Sequence, residues 1–143
     1  ERVKTTFSLQ ELPGIKSTFN ALCLQNNNGA DIYIYPGFLV MFNSEENFGI
    51  LELNKIDILF SETNFIESEQ RPSDSEIVKY VWEKANKNGS RDKRFADNRQ
   101  LPVMKYGEIT LFKGGAIHEK YMLSNSKKAD EFVDNLNKFT LSI

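Results

Sequence analysis

The chain of 143 residues carries one histidine, one cysteine, 4 prolines and a formal charge of only −2. A structural zinc site needs clustered His and Cys ligands, which a chain with one of each does not supply. The lone cysteine also excludes a disulfide framework. Cys23, flanked by Leu22 and Leu24, reads as a packed thiol, and an unpaired buried thiol fits the reducing cytoplasm. No apolar run approaches the roughly 18 residues of a membrane span, and no basic segment ahead of an apolar core marks a signal peptide. The acidic residues are scattered and match no calcium-loop pattern. Gly114-Gly115 lacks the following Lys-Ser/Thr of a phosphate-cradling loop and lies between strand-like segments, so a hairpin turn explains it. His118 would need an orienting carboxylate and a nucleophile to act as a base, and the sequence identifies neither. Glu67 with Glu69 is a pairing that any acidic loop offers. With no nucleophile, base and acid to assemble, the expectation is a chain that is not an enzyme and needs neither cofactor nor metal.

What is present is a patterned apolar framework. Hydrophobic residues make up 40% of the chain and aromatics 12%, enough for a single core at this length. The chain begins at Glu1 rather than Met and reads as a segment of a longer protein. Residues 1–20 mix polar positions with Phe7, Leu9, Leu12, Ile15 and Phe19, broken by Pro13-Gly14, and read as a linker or a short docking helix ahead of one domain over 21–143.

Beyond the turn signal Asn26-Asn27-Asn28-Gly29 the β pattern is strong. Asp31 to Asn43 is rich in Ile, Tyr, Phe and Val, with Pro36-Gly37 interrupting or bulging the strand; Phe48 to Leu53 and Ile56 to Ile66 follow. Glu67 to Ser75 reads as a loop. Glu76 to Ala85 is open between a strand, from the alternation of Val78, Tyr80 and Trp82, and a helix, from Ile77, Tyr80, Val81 and Lys84; the strand is favoured. Leu101 to Tyr106, Glu108 to Lys113 and Ile117 to Leu123 read as strands, with Gly107 as a bulge or bend. Ala129, Phe132, Val133, Leu136 and Phe139 at helical spacing, with Asn125 or Ser126 as cap, predict one amphipathic C-terminal helix.

Charge is unevenly distributed. From Glu45 to Glu76 there are nine acidic and two basic residues; from Lys79 to Lys128 there are twelve basic and five acidic ones. Either facing strands pair these charges within the fold, or a basic face attracts an acidic ligand. The basic character peaks between Lys84 and Arg99, where six cations (Lys84, Lys87, Arg91, Lys93, Arg94, Arg99) meet two anions, Asp92 and Asp97. Asn88-Gly89 tolerates the positive φ values of a tight I′ turn, so the segment should fold back on itself. In the plainest reading Asp92 and Asp97 pair with local arginines, Phe95 tucks under as an anchor, and Arg94 either stacks on Trp82 or bridges Asp92.

About seven antiparallel strands closed by one helix resemble the pleckstrin-homology-like architecture, over roughly residues 20–140. The run Trp82, Asn86-Lys87-Asn88-Gly89-Ser90-Arg91-Asp92, Arg94-Phe95, Asn98, Gln100, Pro102, Tyr106-Gly107-Glu108 is similar to a segment of uncharacterised bacterial multidomain proteins. The first resemblance implies a mostly β fold with a C-terminal helix (α+β), a bent antiparallel sheet or barrel that the helix closes, and a binding or scaffolding role. The acidic segment Asn43 to Phe48 departs from the basic first hairpin that phosphoinositide-binding members use. The expected function is therefore a non-enzymatic protein- or peptide-interaction module of a larger bacterial cytoplasmic protein, with Arg91, Lys93, Arg94, Phe95 and Arg99 as contact surface. The alternative is a nucleic-acid-binding accessory domain using the same 84–99 loop, in which cations meet phosphates and aromatics stack on bases. Against it stands a sequence pI of about 5.5.

Overall fold

Short β-prone segments separated by tight turns have one easy way to satisfy their backbone groups, which is to pair with their neighbours. The computed structural model describes residues 4–13, 20–27 and 29–142. Among these it is mostly β with one C-terminal helix. The strands are β1 (Phe7–Gln10), β2 (Ala21–Leu24), β3 (Asp31–Tyr35), β4 (Phe38–Ser44), β5 (Asn47–Glu52), β6 (Asp57–Ile66), β7 (Glu76–Trp82), β8 (Gln100–Lys113) and β9 (Ile117–Leu123), and the helix is α1 (Ser126–Leu141). By internal contacts the chain divides into two compact units, one running to Asp57 and including the residues from Asn137, the other Ile58–Leu136.

The first unit is a five-stranded antiparallel meander in the order β1-β2-β3-β4-β5. Phe7–Gln10, expected within a linker or docking helix, is a strand of this sheet, with Phe7 opposite Leu24 and Gln10 opposite Ala21. Residues 14–19 of that expected segment, Ile15 and Phe19 among them, lie outside the described residues, as does Asn28. Pro36-Gly37 does more than interrupt a strand: it reverses the chain, placing Tyr35 opposite Phe38 with their rings stacked 5.0 Å apart. Proline at the second position of a turn and glycine at the third are what a type II reversal needs. One face of the sheet buries Ala21, Cys23, Tyr33, Tyr35 and Val40 with Leu12. The meander ends where a single 3₁₀ turn, Leu53–Lys55, follows β5 and buries Leu53.

The second unit is built on β8, which at 14 residues is long enough to serve several partners. β6 and β7 flank it in the order β6-β8-β7, and β9 also pairs with it. The first half of β8 pairs with β7, from Trp82 opposite Gln100 to Glu76 opposite Lys105. Its second half pairs with β9, from Gly107 opposite Leu123 to Lys113 opposite Ile117. The expected barrel is not formed: the strands make two antiparallel sheets that do not close. The ladder stops at the 3₁₀ turn after β5, and β6 pairs with β8 instead of continuing the meander. Glu76–Trp82 is a strand, so the helical alternative for that segment falls.

Gly107, expected as a bulge or bend, lies inside the continuous strand β8, and its role is close approach. A Cβ there would stand 2.4 Å from the Ala129 side chain and 3.1 Å from the Ser126 backbone. Only glycine lets the first turns of α1 come this near the strand. Asn125 caps the helix, its side-chain oxygen accepting from the Lys128 N–H at 3.0 Å. Ala129, Val133 and Leu136 are buried, one stripe of the amphipathic pattern. Lys105 lies within 3.9 Å of Glu62 and 3.8 Å of Glu76, so part of the opposite charge of the two halves is paired inside this unit.

Candidate interaction loop

The chain between β7 and β8 is a two-tier hairpin. At its base the ladder continues through the Glu83 N–H, which donates to the Arg99 carbonyl at 2.9 Å, while Arg99 Nε donates to Glu83 Oε2 at 3.1 Å. Asn98 then mimics a strand. Its side-chain oxygen accepts from the Lys84 N–H at 3.0 Å, and its Nδ2 donates to the Lys84 carbonyl at 2.7 Å. Above this, an isolated bridge joins Ala85 to Arg91, and the Asn86 N–H donates to the Ser90 carbonyl at 2.9 Å. The tip differs from the expected I′ turn. The Gly89 N–H donates to the Asn86 carbonyl at 2.9 Å, so Lys87 and Asn88 are the central residues, and of the tip residues only Gly89 has positive φ (87°). Asn88 therefore keeps an ordinary backbone, and its side-chain oxygen accepts instead from the Ser90 N–H at 3.1 Å and the Ser90 hydroxyl at 2.6 Å.

Asp92 fixes the second tier. It is only 4% exposed. Its carboxylate accepts from the Arg94 N–H at 3.1 Å, from Arg94 Nε at 3.0 Å and from Arg94 Nη2 at 2.7 Å, a fork that also closes a local turn. The Arg94 guanidinium beside it holds the carboxyl below its ordinary value of 3.8, outweighing the opposing effect of burial. Of the two readings open for Arg94, the bridge to Asp92 is observed; Arg91 is the residue over Trp82, 5.5 Å from the ring centroid. Asp97 forms no ion pair among the described residues.

Phe95 was expected to tuck under the loop, yet it is 39% exposed, with Lys84 Nζ 4.4 Å from its ring centroid and the Arg94 guanidinium at 5.9 Å. Contacts of this kind contribute about 0.5–1 kcal/mol at exposed sites, enough to bias where the cations sit. Lys87 and Lys93 make no ion pair among the described residues.

An open depression of about 570 Å³ is lined by Asn86, Ser90, Arg91, Asp92, Lys93 and Arg94. The structure thus brings Arg91, Lys93 and Arg94 together, sets Phe95 beside them, and leaves Arg99 at the base of the hairpin against Glu83. Sequence reasoning had not assigned Asn86, Ser90 and Asp92 to this surface; their signal was turn-forming side chains with short reach to the backbone. Comparison with protein-family models, with curated proteins and with solved structures finds no match.

The other reactive side chains are placed elsewhere. Cys23 is buried and its thiol is pushed up by that burial, which suits packing rather than nucleophilic attack. His118 is exposed on β9, edge-on to Phe112 at 5.3 Å. Glu67 is buried and accepts from the Tyr106 hydroxyl at 3.0 Å and from the Glu69 N–H at 3.1 Å, a satisfied carboxylate at the end of β6.

Proposed function

We propose that this chain is a non-enzymatic interaction module of a larger bacterial cytoplasmic protein that recognises a protein or peptide through the loop between β7 and β8. One observation carries the reading: a hairpin with little buried apolar surface is nevertheless fixed by hydrogen bonds and presents Arg91, Lys93 and Arg94 around an open depression. Ordering these groups before binding removes part of the entropic cost of association. The exposed ring of Phe95 adds an apolar contact beside the charge, the combination found at interface anchors. The exposed His118 and the buried Cys23 support recognition over catalysis. The antiparallel framework followed by one helix supports kinship with the pleckstrin-homology-like architecture, although its strands lie in two sheets. The buried free thiol favours a reducing compartment.

The nucleic-acid reading needs cations free to meet phosphates, and here Arg94 and Arg99 already face carboxylates while Lys84 and Arg91 face rings. A synthetic peptide array probed with the wild-type chain and with an Arg91→Glu/Lys93→Glu variant tests the proposal. Peptides combining acidic and aromatic residues are expected to bind the wild type and to lose about tenfold or more on charge reversal. Equal binding by the folded variant overturns the role of the loop. A single-stranded oligonucleotide that outcompetes these peptides, with affinity falling steeply between about 50 and about 200 mM salt, replaces the peptide reading with the nucleic-acid one.

A further inference from the structure

The free edge of the first sheet is a second candidate for binding, independent of the loop. β5 ends the meander, and among the described residues it forms a ladder with β4 alone. The Leu53 N–H donates to the Gly37 carbonyl at 3.0 Å, which fixes the phase of that ladder. Gly37 and Leu53 form a hydrogen-bonded pair, so by alternation the pairs Phe38 with Glu52, Val40 with Ile50, and Phe42 with Phe48 are the non-hydrogen-bonded ones. The backbone groups of Phe48, Ile50 and Glu52 therefore point away from β4 toward the open edge. The side chains of two of the same residues form an apolar row: Phe48 is 53% and Ile50 59% exposed, with Phe38 at 38% on the same face.

Edge strands are ordinarily guarded by lysine, proline or a bulge. β7, at the end of the other sheet, carries such guards, with Lys79 exposed and a register shift between Ile77 and Lys79. β5 (Asn47–Glu52) has no lysine and no proline, and the irregularity beside it, between Phe42 and Ser44, belongs to β4. Its charged surroundings are of one sign. Glu45 and Glu46 stand exposed at the β4–β5 turn without an ion pair among the described residues, whereas Glu52 is met by Lys55 at 3.1 Å.

We propose that the open edge of β5 accepts an extended peptide as an additional strand. The peptide alternates apolar side chains, which lie along Phe48 and Ile50, and carries a lysine or arginine at the end beside Glu45 and Glu46. Main-chain hydrogen bonds to Phe48, Ile50 and Glu52 supply the pairing, and the apolar row together with the acidic turn supplies selectivity.

The test is hydrogen exchange on the full chain with a capped heptapeptide that alternates valine and threonine between terminal lysines. The amides of Phe48 and Ile50 are expected to exchange about tenfold more slowly with this peptide. A matching peptide with terminal glutamates should leave them unchanged. Ile50→Pro removes an outward N–H and leaves the β4 ladder intact, so protection should vanish in that variant; Ile50→Lys gives the same reading where the proline variant fails to fold. The proposal is overturned by no protection in the wild type, by equal protection from both peptides, or by protection that survives in the folded variants. Protection that rises with protein concentration alone places a second copy of the chain on the edge and overturns it as well.

Discussion

The connection between β7 and β8 and the hairpin of β4 and β5 both reach solvent, and they are ordered by opposite means. The first is long and polar. Asn98 pairs with both backbone groups of Lys84, Asp92 grips Arg94, and Asn88 gathers the Ser90 N–H and hydroxyl, so side chains take over work that a core would otherwise do. The second is short and anchored from within. Leu39 and Val40 are buried on opposite sides of β4, while Phe48 and Ile50 lie open along β5. A loop held by hydrogen bonds can display a cluster of like charges without spending them on packing. A hairpin held by packing can leave an edge bare because its stability does not depend on that edge. The two surfaces therefore suit different partners, charge-seeking for the loop and strand-forming for the edge.

The sharpest way to break this comparison is to attack the packing under β4. Leu39 is fully buried and lies opposite Leu51, so Leu39→Ala leaves a cavity that the sheet cannot fully close. The expected loss is about 2–5 kcal/mol in chemical denaturation. A loss below about 1 kcal/mol would show that the meander does not rely on its interior for stability. The corresponding change in the loop is Asn98→Ala. It deletes two hydrogen bonds to the backbone of the exposed Lys84, where water competes for the same groups, so the expected cost is about 1 kcal/mol or less. Its signature is local: amides from Lys84 to Arg94 exchange faster while the denaturation midpoint barely moves. A global loss as large as that of Leu39→Ala would contradict the contrast between the two hairpins.

Much of this organisation was legible in the sequence, because period-two alternation and turn residues act over short range. The strands at 31–66, the strand pair around Gly114-Gly115 and the capped C-terminal helix all follow from local pattern. What was not legible depended on long-range choices. Nothing in the composition of Phe7–Gln10 distinguishes an edge strand from a docking segment until Leu24 is placed opposite it. The expected barrel failed at Leu53–Lys55, where three residues of 3₁₀ turn redirect β6 to β8. In the loop, the charge cluster was visible, but the partner of each cation was not. Arg91 rather than Arg94 sits over Trp82, because the Asp92 carboxylate lies two residues from Arg94 and makes a bidentate fork that a ring contact does not match. Phe95 stays in solvent for a related reason: with two cations near its ring, burying it would strip water from their charges.

The smallest effect expected is confined to that fork. Pairing with Arg94 holds the Asp92 carboxyl below its ordinary value of 3.8, so its contribution to loop order is complete above that pH and is lost as pH falls through the lowered value. Acid should therefore release the second tier of the loop without melting the β4–β5 hairpin, whose anchors Leu39 and Val40 do not titrate. The Arg94 amide resonance reports the event directly, because its N–H donates to Asp92 Oδ1. Its titration midpoint should lie below 3.8, the chain remaining folded across the transition by the unchanged resonances of Val40 and Leu51. Asp92→Asn keeps an oxygen for the Arg94 N–H but no charge for the guanidinium, so the same resonance should cease to titrate while the local turn persists. A midpoint at or above 3.8 would mean that burial outweighs the arginine, and the loop would then owe its order to Asn98 and the Asn86–Ser90 turn alone.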